Sequence, residues 1–245
     1  MTFGRPRHHH RLTDSTNERA RELAEAGAPS GTLVTADEQS AGRGRRGRTW
    51  SAPAGKALLG SFVLRPLGEH HSLLPLAVPL AVCDAIEEIS QSTCRVKWPN
   101  DVWIEERKVA GVLIEARPPH WAVLGIGVNV SIAPDEFPDD LRWPATSIGR
   151  GAGVERTLHP LAAALQRWTD ASPDAIVGAY SERDALRGKH VTWAGEPAPG
   201  SGTAQGIDAT GNLVVAGDEG ESLKLGAGEV QLALDTKPAG ADEPG

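Results

Sequence analysis

The segment RLTDSTNERARELAEAGAPSG (11–31) passes from a strand end through a polar turn at Asp14 to Thr16 into an amphipathic helix, closed near Gly27 and Pro29. Alternation in GTLVTADEQ (31–39) predicts a short strand, and KALLGSFVLRP (56–66) predicts a second. From Ser72 to Ser90 the chain is apolar on most faces at first and acidic at its end. That pattern fits a helix packed across a sheet, despite Pro75 and Pro79. Runs of β-branched residues in 94–118 and 120–132, parted by EERK and PPH, predict consecutive hairpin-linked strands. Helical spacing returns between Thr157 and Arg187, with Leu158, Leu161, Leu165, Trp168, Ile176 and Tyr180 apolar and a break at Ser172 and Pro173.

These elements predict an α+β fold over residues 1–187, an antiparallel sheet with helices on one face. Residues 188–235 then offer short strands punctuated by glycine, with DATGN (208–212) as a tight turn, and predict a small β-barrel. The Pro-, Gly- and acid-rich remainder, 236–245, predicts disorder.

Composition sharpens this picture in two places. With 245 residues, 40% apolar and 23% charged, the chain suits one large soluble domain and a small companion. A net charge of −7 argues against a general nucleic-acid or membrane binder, which makes any basic stretch stand out. Cys83 and Cys94 lack the spacing of a zinc or redox motif, and the start MTFGRPRHHHRL lacks the apolar core of a secretory signal. No run approaches the roughly 20 apolar residues of a membrane span. A reduced, cytoplasmic setting with no membrane partner is the expectation. The triplet His8, His9 and His10 has no second ligand cluster with it and reads as an edge strand or frayed end, so no metal site is expected.

The basic stretch is EQSAGRGRRGRTWS (38–51), with four arginines at 43, 45, 46 and 48. Gly42, Gly44 and Gly47 let backbone N–H groups approach a ligand closely, and the arginines supply charge-assisted bonds to phosphate or carboxylate. It is neither a P-loop nor the dinucleotide fingerprint, because no G-x-x-x-x-G-K-[ST] occurs and no helix signal follows. Three readings stand from the loop alone: a phosphate-ligand site, a nucleic-acid arm, or a solvated loop. Its crowded charges repel one another, which predicts a loop that is mobile until an anion fills it. Elsewhere KWPNDV brings Lys97, Asn100 and Asp101 to a strand start, and Lys108 opens the next strand three residues before Gly111. In GIGVNV (125–130), Gly125, Gly127 and Asn129 share one face of a strand, either as a packing face or as a groove for a flat ring.

Taken together, DSTN (14–17), EQSAGRGRRGR (38–48), KWPNDV (97–102), RKVAGVLIE (107–115) and GIGVNV (125–130), in that order, resemble the biotin protein ligases. The resemblance covers about residues 10 to 185, and the segment after it looks like the SH3-like C-terminal domain of the same family. It implies a class II synthetase/biotin ligase-like mixed, mainly antiparallel sheet with packed helices. Ser15, Thr16 and Asn17, with Gln39, would then hold the ureido ring of biotin. Arg43, Gly44 and Arg45 would wrap the biotin carboxylate and the ATP phosphates, with Arg48 and Lys97 also in the binding set. Lys108 would bond the carboxylate and the phosphate oxygens, Gly111 and Gly127 would leave room for the rings, Asn129 would contact the nucleotide, and Trp50 would cover the adenine side.

The reaction implied is ATP-dependent, with Mg2+. Biotin is activated to biotinyl-5′-AMP with release of pyrophosphate and then passed to one lysine of the biotin carboxyl carrier domain of a biotin-dependent carboxylase, such as acetyl-CoA carboxylase. Lys108 and Arg45 would act where charge develops, and Asp101 is the candidate base for the incoming amine. Only about a dozen residues precede DSTN, so no operator-binding domain and no DNA partner are expected. Ser40 stands where bulkier polar residues are also possible, and 134–153 carries no assignable motif, either walling the pocket or only connecting elements. A lipoate or octanoate ligase or transferase of the same fold, and a nucleotide-binding module without catalysis, are the alternatives. Monomer and homodimer both remain open.

Overall fold

The structure is a computed structural model that describes residues 3–141, 143–149, 151–194, 199–218, 220–226 and 231–234. It divides into two compact units, Met1–Ala185 and Leu186–Gly245. The first unit runs β1 (Arg7–Thr13), α1 (Thr16–Glu25), β2 (Leu33–Gln39), β3 (Ala57–Leu64), α2 (Leu74–Ile89), β4 (Arg95–Lys97), β5 (Asp101–Ile104), β6 (Arg107–Arg117), β7 (Trp121–Asn129), α3 (Val154–Thr169) and α4 (Pro173–Arg183). Its strands form one seven-stranded sheet in the order β1-β2-β3-β7-β6-β5-β4. Only β1 and β2 run parallel; every other neighbouring pair is antiparallel. The histidine triplet lies in β1, on the sheet's edge.

Local chemistry accounts for these joins. The link from β5 to β6 is the two-residue pair Glu105–Glu106, both at positive φ (48° and 60°), the backbone that a tight hairpin demands. Ser172 ends the break between α3 and α4 as an N-cap, its hydroxyl accepting from the Ala175 N–H at 3.3 Å. Pro75 sits in the first turn of α2, where no N–H is required, while Pro79 lies inside the helix and is buried.

Helices cover both faces of the sheet, which corrects the one-face expectation. On one face α1 packs through Ala20 and Ala24 onto Val34, Val63, Trp121 and Val123. On the other, Phe62 meets the Phe3 ring at 5.9 Å between centroids, and Ala162 of α3 lies against Gly4. The reason is visible in β3, whose eight positions are all buried: a strand covered on both sides becomes a continuous apolar run rather than an alternating one.

The second unit is one antiparallel sheet of β8 (His190–Ala194), β9 (Gly200–Ile207), β10 (Leu213–Gly217), β11 (Ser222–Leu225) and β12 (Gln231–Leu234), in the order β11-β10-β9-β8-β12. Among the described residues, Leu186, Val191, Trp193, Ala204, Leu213, Val215 and Leu225 are the buried apolar side chains of this unit. The DATGN turn forms as predicted, with the Asp208 carboxylate accepting from the Thr210 and Asn212 N–H groups at 2.9 and 3.0 Å. The expected disordered tail, 236–245, lies outside the described residues. Among the described residues no helix is long and apolar enough to cross a membrane, and Cys83 and Cys94 are buried free thiols.

Candidate active site

Paired residues on neighbouring strands share a face, so the ladder registers define rows across the sheet. One row reads Lys97, Asp101, Gly111, Gly127 and Leu59 from β4 to β3, and the next reads Leu113, Gly125 and Ser61. This is the face that carries α1. Its centre is glycine, and the space left by the missing side chains is filled from above. A Cβ on Gly127 would stand 2.4 Å from the Trp50 indole, and one on Gly125 would stand 1.9 Å from Asn17 Oδ1.

At one end of this face the start of α1 forms a hydrogen-bonded cluster. Gln39 Oε1, at the end of β2, accepts from the Thr16 N–H at 2.7 Å and from its hydroxyl at 3.1 Å. The buried Ser61 hydroxyl donates to Asn17 Oδ1 at 2.7 Å and lies 2.8 Å from Thr16 Oγ1. Asn17 Nδ2 donates to Glu115 Oε2 at 2.8 Å and to the Leu113 carbonyl at 3.3 Å. Ser15, Thr16 and Asn17 are all buried, and Ser15 is the N-cap residue, its N–H bonded to Asp14 at 2.6 Å.

At the other end sits a charged cluster. Lys108 Nζ is 2.8 Å from Asp101 Oδ1 and 5.5 Å from the Trp50 ring centroid. Residues 108 and 111 would face opposite sides of a regular strand. A register shift opposite Val102 and Trp103 removes that conflict and brings Lys108 Nζ 3.2 Å from the Gly111 Cβ position. Arg45 leans over from the basic loop and donates to Asn100 Oδ1 at 3.3 Å; burial and the neighbouring Arg46 lower its pKa, while the Asp101 charge opposes that shift. Asn100 is fixed in turn by Nδ2 donating to the Val112 carbonyl at 2.9 Å.

The loop itself closes as a small hairpin. Arg43 bridges Thr49, the Gly44 N–H donates to the Arg48 carbonyl at 2.7 Å, and the Trp50 N–H donates to the Gly42 carbonyl at 2.9 Å. A Cβ on Gly42 would meet the Trp50 carbonyl oxygen at 2.2 Å, so only glycine fits this crossing. The self-repulsion that predicts a mobile empty loop is offset here, because Arg43 pairs with Glu115 at 2.9 Å and Glu18 at 3.3 Å, and Arg45 feels Asp101.

Some expected site residues are differently engaged. Lys97 lies in the first row but is buried, its ammonium 4.8 Å from the Trp143 ring centroid and 5.6 Å from that of Trp103. Asn129 is also buried, and its Nδ2 donates to the Thr146 carbonyl at 3.0 Å. Trp50 packs with Ala57, Leu59 and Ile132 in the glycine groove, so the flat ring that the groove holds in this structure is the chain's own indole.

Three contributors escaped the sequence reading. Ser61 stands in an apolar run, where only its polarity singles it out. Glu115 ends the RKVAGVLIE motif without a role attached. The segment around Trp143 to Thr146 pairs with Lys108 through the Lys108 N–H to the Pro144 carbonyl at 2.8 Å and the Thr146 N–H to the Lys108 carbonyl at 2.9 Å. Residues 144–148 of the motifless stretch therefore line Lys108 and Asn129. Among the described residues no three His, Cys, Asp or Glu side chains gather into a metal cage.

Residues 10–129 match the Biotin/lipoate A/B protein ligase family, and residues 188–233 match the Biotin protein ligase C terminal domain. The chain is 38% identical to the biotin–[acetyl-CoA-carboxylase] ligase of Paracoccus denitrificans over 86% of its own length and 94% of that protein. It is 41% identical to the bifunctional ligase/repressor of Bacillus subtilis over 59% of its length, and there it spans about half of the relative, 46%. The biotin protein ligase of Aquifex aeolicus, solved in complex with biotin and ATP, superposes with a TM-score of 0.79 at 31% identity, covering 94% of this chain and all of that one.

Proposed function

Because the chain belongs to the biotin protein ligase family, we propose that it activates biotin with Mg-ATP and transfers it to a lysine of a biotin carboxyl carrier domain. One observation carries the reading: a single sheet face holds an amide and hydroxyl cluster at one end and a lysine–arginine cluster at the other, across a floor of glycines on which the Trp50 indole lies. The ureido ring of biotin needs donors and acceptors in a fixed array, which Thr16, Asn17, Gln39 and Ser61 supply. Its carboxylate and the ATP phosphates need cations, which Arg45, Arg48 and Lys108 supply.

In the first step the biotin carboxylate attacks the α-phosphorus and pyrophosphate leaves, so the protein's work is alignment and charge neutralisation. Lys108 is partly buried and aimed by Asp101. As the anionic substrates arrive, its ammonium transfers from Asp101 to the reacting oxygens. Mg2+ bound with the nucleotide would neutralise part of the phosphate charge, alongside Arg45, Arg48 and Lys108. In the second step the ε-amine of the acceptor lysine attacks the mixed anhydride, AMP leaves, and Asp101, relieved of Lys108, takes the proton. Closure of the loop over the adenylate keeps water from it.

Biotin-dependent exchange of labelled pyrophosphate into ATP tests this reading. Exchange with biotin and none with lipoate or octanoate is expected; exchange with lipoate alone would move the chain to the other branch of the family. Labelling of an isolated carrier domain from acetyl-CoA carboxylase, with its lysine intact and replaced by arginine, tests the acceptor.

A further inference from the structure

In the arginine loop, Arg43 has its guanidinium bound by two carboxylates. Nη2 is 2.9 Å from Glu115 Oε1, and Nη1 is 3.3 Å from Glu18 Oε2. Glu115 stands on β6, outside the loop, and its carboxylate is divided: Oε1 takes the loop arginine, while Oε2 takes Asn17 Nδ2 at 2.8 Å. Glu18 stands on α1 one residue after Asn17, and its pKa is lowered by Arg21 first and by Arg43 as well.

Orientation of Asn17 depends on the same carboxylate. A side-chain amide can present either end, and the Ser61 hydroxyl, donor and acceptor alike, does not choose between them. An ionised carboxylate accepts only, so Glu115, with the Leu113 carbonyl, requires the NH2 on its side and turns Oδ1 toward Ser61.

We propose that Glu115 is a positioning residue with two duties, latching the arginine loop through Arg43 while it sets the amide orientation of Asn17. The inference rests on the biotin ligase reading for its consequence but not for the latch itself, which is a contact between residues of the chain. Arg43 then serves the loop rather than the phosphates, and the two ends of the site are joined through one carboxylate.

Two variants separate the duties. Glu115→Gln keeps an oxygen for Asn17 and discards the charge for Arg43, and Arg43→Gln removes the partner from the exposed side. Trypsin reads the latch without any substrate, since Arg45, Arg46 and Arg48 become cleavable when the loop opens and the rate follows the open population. Each single variant is expected to speed cleavage in the loop by about three- to fivefold, the size that a half-exposed ion pair supports. The double variant should be no faster than either alone.

Retention of biotinyl-5′-AMP, followed by chasing labelled adenylate with unlabelled biotin and ATP, should shorten by a similar factor in both single variants, with no change in KM for ATP. Unchanged cleavage in Glu115→Gln, or additive effects in the double variant, would overturn the latch. A rise in KM for ATP in Arg43→Gln that Glu115→Gln does not share would return Arg43 to the phosphates. Failure of the ligase reading is distinct: the wild type would then show no biotin-dependent exchange while the trypsin result stood unaffected.

Discussion

Lys108 and Asp101 form the most consequential contact at the residue scale. A partly buried ammonium held 2.8 Å from a buried carboxylate is preorganised, and its loss should be felt in the transition state more than in the fold. Lys108→Ala and Arg45→Ala are each expected to slow pyrophosphate exchange by on the order of a hundredfold or more, the cost of removing a preorganised charge-stabilising group. Thermal midpoints measured on the same samples should fall far less in proportion. Wild-type exchange rates in both would remove these residues from the mechanism. Two glycines two residues apart should also behave differently. Gly125→Ala drives a Cβ into Asn17, which Ser61 and Glu115 hold in place, whereas Gly127→Ala meets the half-buried Trp50 indole. Denaturant titration should show Gly125→Ala costing about 1–3 kcal/mol, as overpacking in a fixed site does. Gly127→Ala should cost less and act on KM for ATP instead.

Among the elements, α4 offers a paired test of what an isolated polar group is worth. Ser172 caps its start, and Ser172→Ala should lower unfolding free energy by about 1 kcal/mol. Tyr180, on the same helix, is fully buried and its hydroxyl has no hydrogen-bond partner among the described residues; burial, then the Asp184 charge, pushes that phenol well above its ordinary pKa. Removing an unsatisfied buried hydroxyl costs little, so Tyr180→Phe should unfold within about 1 kcal/mol of the wild type. A large loss would mean that the hydroxyl has a partner in solution. Most elements were legible from the sequence because their signals are local. The polar turn before α1, the EERK and PPH hairpins, the Ser172–Pro173 break and the DATGN turn each depend on neighbouring residues. Placement of helices on both sheet faces was not legible, because burial of β3 on two sides comes from partners distant along the chain.

For the whole molecule, surface ion pairs set the response to acid. Asp14 is held below its ordinary pKa by the Ser15 N–H and Arg19, Glu18 by Arg21, Glu136 by Lys56 and Glu155 by Arg7. A carboxyl whose folded pKa is depressed binds fewer protons folded than unfolded. Its contribution is therefore complete above the unfolded value, about 4, and is lost as pH falls through the folded one. Thermal midpoints should stay level from pH 7 to about 5 and decline below about 4. A decline that began near pH 6 would implicate the histidines instead. Because these groups are largely exposed, the fall should shrink in high salt.

By itself, the amino-acid sequence determined the residue inventory of the site and the order of the elements that carry it, since turns, caps and apolar periods are written in adjacent residues. Composition and motif spacing also singled out the arginine loop, Lys108 and the glycines of β7. Only the tertiary structure decided which face each side chain serves. Lys108 shares a face with Gly111 because a register shift in the β5–β6 ladder cancels the alternation that a spacing of three would impose. Arg43 meets Glu115 across 72 positions, and Asn17 meets it across 98, separations that no local pattern encodes. Long-range pairing turned a list of candidate ligands into two clusters joined by one carboxylate.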